Sequence, residues 1–136
     1  MSNIKKYDNK PVKPGFENLR IWKSAYELML RIHEICKLLP KEERFQLKDQ
    51  IERSSSSVPD NIAEGYSAYY FKERIKSFYV ARREATETQN HLRKMSGKNY
   101  VGEEISDGLI LEYEGLIRGI NAYIRYLREK SRQREF

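Results

Sequence analysis

The sequence is poor in the residues that build covalent and metal-based chemistry. One cysteine, Cys36, and two histidines, His33 and His91, stand among 136 residues. A lone thiol excludes an intrachain disulfide framework and a cysteine-based zinc cluster. Di-iron bundles need Glu-x-x-His on two helices. The residues three before the histidines are Leu30 and Thr88, so that motif is missing. An RNase pattern of arginine followed by histidine after four to six residues is also missing, because seven residues separate Arg83 from His91. No apolar run approaches the roughly 18–20 residues of a membrane span, and Met1 to Gly15 has no apolar segment of the secretory kind. Neither a P-loop, a G-x-G-x-x-G turn nor a G-x-S-x-G elbow occurs. The reading is a soluble, cytoplasmic, non-enzymatic chain of one domain, without metal or cofactor.

What the chain does have is charge and tyrosine. Lysine and arginine total 26 against 20 acids, a net +6, and ten residues are tyrosine. The excess lies at the ends. Residues 1–14 carry Lys5, Lys6, Lys10 and Lys13 against Asp8, and residues 118–136 carry Arg118, Arg125, Arg128, Lys130, Arg132 and Arg134 against Glu129 and Glu135. Within the middle, residues 72–98 are basic, whereas 99–117 hold five acids and no base. Acids early and arginines late in a last helix complement its macrodipole. Lys72, Arg74 and Lys76 sit at a helix start, the wrong end for that account, so they point to an anionic partner such as nucleic acid.

Helical periodicity runs almost unbroken from Phe16, and no segment alternates with period two. Residues 1–15, with Pro11, Pro14 and Gly15, read as a basic arm. A first helix over about Glu17–Leu39 is expected to bury Leu19, Trp22, Tyr26, Met29, Ile32, Cys36 and Leu39. The second, about Lys41–Tyr69, places Leu47, Ile51, Val58 and Ile62 on one line. That phase is kept across Pro59, which predicts one helix kinked there; the alternative is a break at Ser57–Pro59. A third over about Phe71–Ser96 turns Ile75, Phe78, Ala85 and Leu92 inward and ends at Gly97, Asn99 and Gly102. The fourth, about Ser106–Lys130, carries Leu109, Tyr113, Leu116, Ile120, Tyr123 and Leu127 at heptad spacing. Ile110, Ile117 and Ile124 form a second line, read as an oligomer interface. The fold class is all-α: an antiparallel up-down-up-down four-helix bundle over residues 16–130, with a basic tail at 131–136.

A polar line, Gln50, Ser54, Ser57, Asn61 and Glu64, runs along the second helix beside its apolar one, bordered by Arg53. It is read as a hydrogen-bonded structural seam; a pocket that reads a ligand or nucleotide is the alternative.

Several blocks are specific enough to name a resemblance. Phe16-Glu17-Asn18-Leu19-Arg20-Ile21-Trp22-Lys23-Ser24-Ala25 resembles the opening F-x-x-L-x-[VI]-W-x-x-A of the proteins encoded in 23S rRNA intervening sequences, the S23 ribosomal protein family. Leu39-Pro40, Glu43, Phe45, Leu47 and Gln50 resemble that family's next block. Arg53-Ser54, Ser57-Val58-Pro59 and Asn61-Ile62-Ala63-Glu64-Gly65 match its signature R-S-x-x-S-[IV]-P-x-N-I-A-E-G. The family is similar to the accessory variability proteins of diversity-generating retroelements. The resemblance implies an antiparallel four-helix bundle that assembles as a homopentameric barrel with a basic surface. In the retroelement branch it implies binding to a reverse transcriptase and to nucleic acid, and it implies no catalytic residues. One departure stands out: Ala81-Arg82-Arg83-Glu84-Ala85-Thr86-Glu87 occupies the place of A-R-G-S-x-x-E, so Arg83-Glu84 replaces a Gly-Ser pair.

The sequence thus reads as an oligomeric binder of RNA or DNA, accessory to a reverse transcriptase or an RNA complex. Phosphate contacts are expected from Lys72, Arg74, Lys76, Arg82, Arg83, Arg93, Lys94, Arg118, Arg125 and Arg128. A protein-interaction scaffold without nucleic acid is the alternative.

Overall fold

The computed structural model describes residues 12–134. It contains four long α-helices and, among the described residues, no strand. α1 spans Arg20–Ile35, α2 Leu47–Ser67, α3 Phe71–Gly97 and α4 Glu103–Arg134. Short 3-10 turns at Gly15–Asn18, Cys36–Leu38 and Lys41–Glu43 precede or follow α1. Residues 1–11 of the expected arm and 135–136 of the expected tail lie outside the described residues. The rest of that tail, Ser131 to Arg134, is the last turn of α4.

Apolar spacing sets each helix's inward face, with two shifts from expectation. In α1 the buried line is Ala25, Leu28 and Ile32, continued by Cys36, whereas Tyr26 is largely exposed. The expected line holds at Ile32 and Cys36, and Leu19, Trp22 and Leu39 pack part-buried against the core, but Ala25 and Leu28 take the buried places expected of Tyr26 and Met29. Trp22 and Tyr26 instead stack on each other at the edge, with ring centres 4.9 Å apart. In α4, Leu109, Tyr113, Leu116, Ile120 and Leu127 are buried as their heptad spacing requires. Ile124 is buried with them at 3% exposure, which removes it from any contact with another subunit. Ile110 and Ile117 are half-buried against the core.

α2 starts at Leu47, six residues later than expected, because the chain after Pro40 first makes the Lys41–Glu43 turn. That turn buries Glu43, whose carboxylate accepts Lys98 Nζ at 2.7 Å and Tyr100 Oη at 2.9 Å. α2 then continues without interruption through Pro59. The end of α3 is a Schellman motif. Asn99, at φ 63°, takes the left-handed position, the Tyr100 N–H donates to the Met95 carbonyl and the Asn99 N–H to the Ser96 carbonyl.

α3 makes the most extensive contacts, against α2 on one side and α4 on the other. Gly65 is a point of close approach between α2 and α3. A Cβ there would lie 2.8 Å from the Phe78 ring and 3.0 Å from Ser77 Cβ. Gly115 on α4, by contrast, has no atom within 4 Å of such a Cβ. Opposite stability changes are therefore expected from the same substitution. Gly65→Ala loses about 1–3 kcal/mol through overpacking, while Gly115→Ala gains about 0.5–1 kcal/mol from helix propensity. Urea unfolding of the two variants checks the signs; equal effects would show that α2 and α3 are not in this close contact.

Candidate nucleic-acid interface

The register between α3 and α4 decides where the charge gathers. Arg82 Nη1 donates to Asn121 Oδ1 at 2.9 Å, Gln89 Nε2 to Glu114 at 2.9 Å, and Ser106 Oγ to the Leu92 carbonyl at 2.9 Å. Partner numbers fall along α4 as they rise along α3, so the start of α3 lies beside the end of α4. These are the basic halves of both helices.

Arginines and aromatics interleave along this seam. The guanidinium of Arg82 lies 4.8 Å from the centre of the Tyr79 ring, and Arg128, from α4, lies 5.3 Å from the same ring. One turn and more toward the end of the bundle the pattern repeats: Arg74 and Arg134 lie 5.3 and 5.5 Å from the Phe71 ring. Cation–π attraction of about 0.5–1 kcal/mol each at exposed sites holds the guanidiniums in place. It does not neutralise them, and the paired arginines still repel across each ring. An anion bridging such a pair relieves that repulsion and takes charge-assisted hydrogen bonds.

Exposed cations flank the seam. Lys72, Lys76 and Arg83 follow at steps of four and seven on α3, and Arg118, Arg125 and Arg132 at steps of seven on α4, so each set shares a helix face. Eight of the ten phosphate contacts expected from the sequence therefore belong to the basic halves of these two helices: Lys72, Arg74, Lys76, Arg82, Arg83, Arg118, Arg125 and Arg128. The other two do not. Arg93 is ion-paired with Asp107 near the acidic start of α4, and Lys94 lines a groove against α2. Arg93 thus ties α3 to α4 and lies apart from the other eight. Phe71 and Tyr79 escaped sequence reading, although each is followed three residues later by arginine, an aromatic-x-x-Arg step made twice.

The polar line on α2 divides as well. Ser54 Oγ meets Thr88 Oγ1 of α3 at 2.8 Å in the buried interior, a true interhelix bond. Asn61 only bonds back to Ser57, at 2.8 Å to its carbonyl and 2.9 Å to its hydroxyl, and Arg53 pairs with Asp49 at 2.8 Å. Gln50 and Glu64 are exposed. Gln50, Arg53 and Ser54 also form one wall of a polar groove of about 470 Å³, with Glu84, Glu87, His91 and Lys94 on the other. Burial and the neighbouring Glu87 carboxyl push the Glu84 carboxyl up to about 7, against the opposing pull of Arg83 and Arg53. Burial lowers the His91 imidazole, helped by Lys94, so it is held neutral.

A family model described as 23S rRNA-intervening sequence protein matches residues 17–122. The chain belongs to this family. It is also similar, at 24% identity and a TM-score of 0.72, to a protein of unknown function from the S23 ribosomal protein family of Bacteroides thetaiotaomicron, solved as a crystal structure. That match covers 77% of this chain and 95% of the other, and it shows a shared fold. No curated protein matches.

The family signature now has a physical reading. Ser54 bonds Thr88, Val58, Pro59 and Ile62 are buried, and Gly65 admits Phe78. Ser54 and Gly65 thus make contacts between α2 and α3 in this chain. Arg83 is exposed and Glu84 turns into the polar groove, while Ala81 and Ala85 keep the buried contact line.

Glu84 makes stability depend on pH. Its folded carboxyl keeps a proton that the unfolded chain loses near the ordinary 4.5, so folding weakens as pH rises from about 4.5 to about 7. Glu84→Gln is expected to raise stability by about 1–3 kcal/mol at pH 8 and to leave it nearly unchanged at pH 4.5. Thermal unfolding at both values checks this; an equal shift at both would place the effect in packing.

Proposed function

We propose that the chain is a non-enzymatic, homo-oligomeric nucleic-acid-binding bundle whose binding face is the α3–α4 seam. The observation that carries this reading is the pairing of arginines from two helices on Tyr79 and again on Phe71, flanked by exposed lysines and arginines. Phosphate oxygens supply the missing negative charge, and each neutralised phosphate releases counterions. The resemblance to retroelement accessory proteins adds a role beside a reverse transcriptase or an RNA complex.

The affinity for RNA and DNA oligonucleotides is expected to fall linearly on a log scale with salt, with a slope of about −0.7 to −0.9 per phosphate contact. Arg125→Glu with Arg128→Glu is expected to weaken binding about tenfold or more at 0.1 M salt, while Arg93→Glu leaves it within about twofold, since each phosphate contact is worth roughly a kcal/mol or more. A flat salt response, or equal losses from the two variants, overturns the reading.

A second observation favours self-association. α1 and α4 touch closely where Gly119 meets Ile21, whose Cγ2 lies 2.9 Å from an added Cβ. Beside this contact lies a groove of about 300 Å³ that also holds Arg20, Glu27, Arg31 and Glu112, and further along one of about 400 Å³ has Ile35, Ile105, Gly108 and Leu109 as its apolar lining, with Arg31, Glu34 and Glu104 around them. Leu111, on the outer face of α4 seven residues before Arg118, is 70% exposed. Apolar surface of this kind marks an interface. We place the subunit contact of the homopentamer here and not on Ile110, Ile117 and Ile124. Ile105→Glu with Leu111→Glu is expected to reduce the mass in sedimentation without loss of helical content. A wild-type mass equal to one chain overturns the oligomer.

A further inference from the structure

We propose that Tyr69 and Tyr70, in the turn between α2 and α3, form a stacking platform for unpaired bases, so that the preferred partner is single-stranded nucleic acid. This rests on the reading of the α3–α4 seam as the phosphate-binding face and adds which strand form it takes.

Three observations point to it. The first is exposure: Tyr69 is 82% and Tyr70 63% exposed, in a chain that buries Phe78 and Tyr113 completely. Two aromatic rings left at one tip hold apolar area that folding does not use. The second is support. The Arg74 side chain donates through Nε to the Ala68 carbonyl, and the Arg74 backbone N–H donates to the Tyr70 carbonyl. The turn is thus tied to the first turn of α3, which fixes the rings' attachment points before any partner arrives. The third is place. The same Arg74 lies over the Phe71 ring beside Arg134, so the tyrosines sit directly at the end of the arginine–aromatic seam.

Ring geometry selects the strand form. Tyr69 and Tyr70 stand edge to face, with centres 4.9 Å apart and planes at 85°. Two perpendicular faces cannot both lie parallel to the continuous base stack of a duplex, whose base faces are in any case covered. Splayed bases of a flexible strand can reach both, while its backbone follows the cations of the seam. Aromatic platforms joined to a basic track are the physical basis of sequence-tolerant single-strand binding.

The test compares a labelled 20-nucleotide single strand with a blunt duplex of the same sequence, as DNA and as RNA, at 0.1 M salt. Wild type is expected to favour the single strand. Tyr69→Ala with Tyr70→Ala is expected to lower single-strand affinity about tenfold or more, with duplex affinity, salt slope and thermal midpoint unchanged. Tyr69→Phe with Tyr70→Phe, which keeps the rings, is expected to bind as wild type. The proposal is overturned if the alanine pair weakens both forms equally or neither, or if the phenylalanine pair behaves like the alanine pair. Tyrosine-dependent binding to vesicles of anionic lipid, without single-strand preference, also overturns it and assigns the tip to a membrane surface. Loss of all binding in wild type is a different result, since it removes the seam itself.

Discussion

The close approach of α2 to α3 at Gly65 is the constraint from which the rest of the arrangement follows. With no side chain between the Gly65 backbone and the Phe78 ring, the two helices meet within a distance that a Cβ would forbid. Ser54 and Thr88 then fix their register from the inside, because each hydroxyl finds its interhelix partner only in one alignment. A turn of three residues suffices to join helices held this way, and Arg74 closes it by bonding the Ala68 carbonyl. The exposure of Tyr69 and Tyr70 is a consequence, for a turn this short has no room to fold its side chains back onto the core.

The same register, passed on through α3, gathers charge of one sign. Gln89, Arg93 and Leu92 bond to the first half of α4, which leaves Arg74 and Arg82 to face its arginine-rich second half. Helix-dipole complementarity accounts for the arginines late in α4. It cannot account for cations at the start of α3, where the dipole opposes them. Placing the two sets side by side adds mutual repulsion to that cost. Tyr79 and Phe71 offset part of it by receiving two guanidiniums each, and the remainder is what the proposed anionic partner would neutralise. Acids and bases that do pair, as in Arg93–Asp107 and Arg31–Glu112, lie away from this end of the seam.

How much of this was legible in the sequence depended on whether the signal was local. The inward lines of α2 and most of α4 follow from spacing alone, as does burial of Cys36. The α1 line holds at Ile32 and Cys36 and departs in the middle of the helix, where Tyr26 and Met29 outweigh Ala25 and Leu28 in spacing although Ala25 and Leu28 are the ones buried. Ile124 differs for a related reason: an apolar line adjacent to the main seam reads as a second face, but a straight helix drifts about 20° per heptad, and by this point Ile124 is buried while Tyr123 of the main line is half-buried. Arg93 and Arg82 look alike in sequence, and only the register of α4 separates an ion-paired arginine from one left facing other cations. Glu43 was visible as a family residue, but its buried bonds to Lys98 and Tyr100 join positions more than fifty residues apart.

α4 shows how one helix serves several surfaces at once. Residues seven apart share a line along a helix of this kind. Leu109 and Leu116 face the interior, Ile110 and Ile117 lean toward α3, Gly108 and Gly115 open the groove beside α1, and Arg118, Arg125 and Arg132 remain exposed. The groove and the arginine line adjoin on the 32-residue helix: Leu111 stands seven residues before Arg118 and begins that line, while Gly108 and Gly115 line the grooves toward α1. On the proposed reading, a second copy seated on the α1 side would border the arginine line and leave the α3 side of the seam, with Tyr79, Arg82 and Arg128, open. Assembly of that kind would add basic faces, and the field felt by a polyanion would grow with the number of copies.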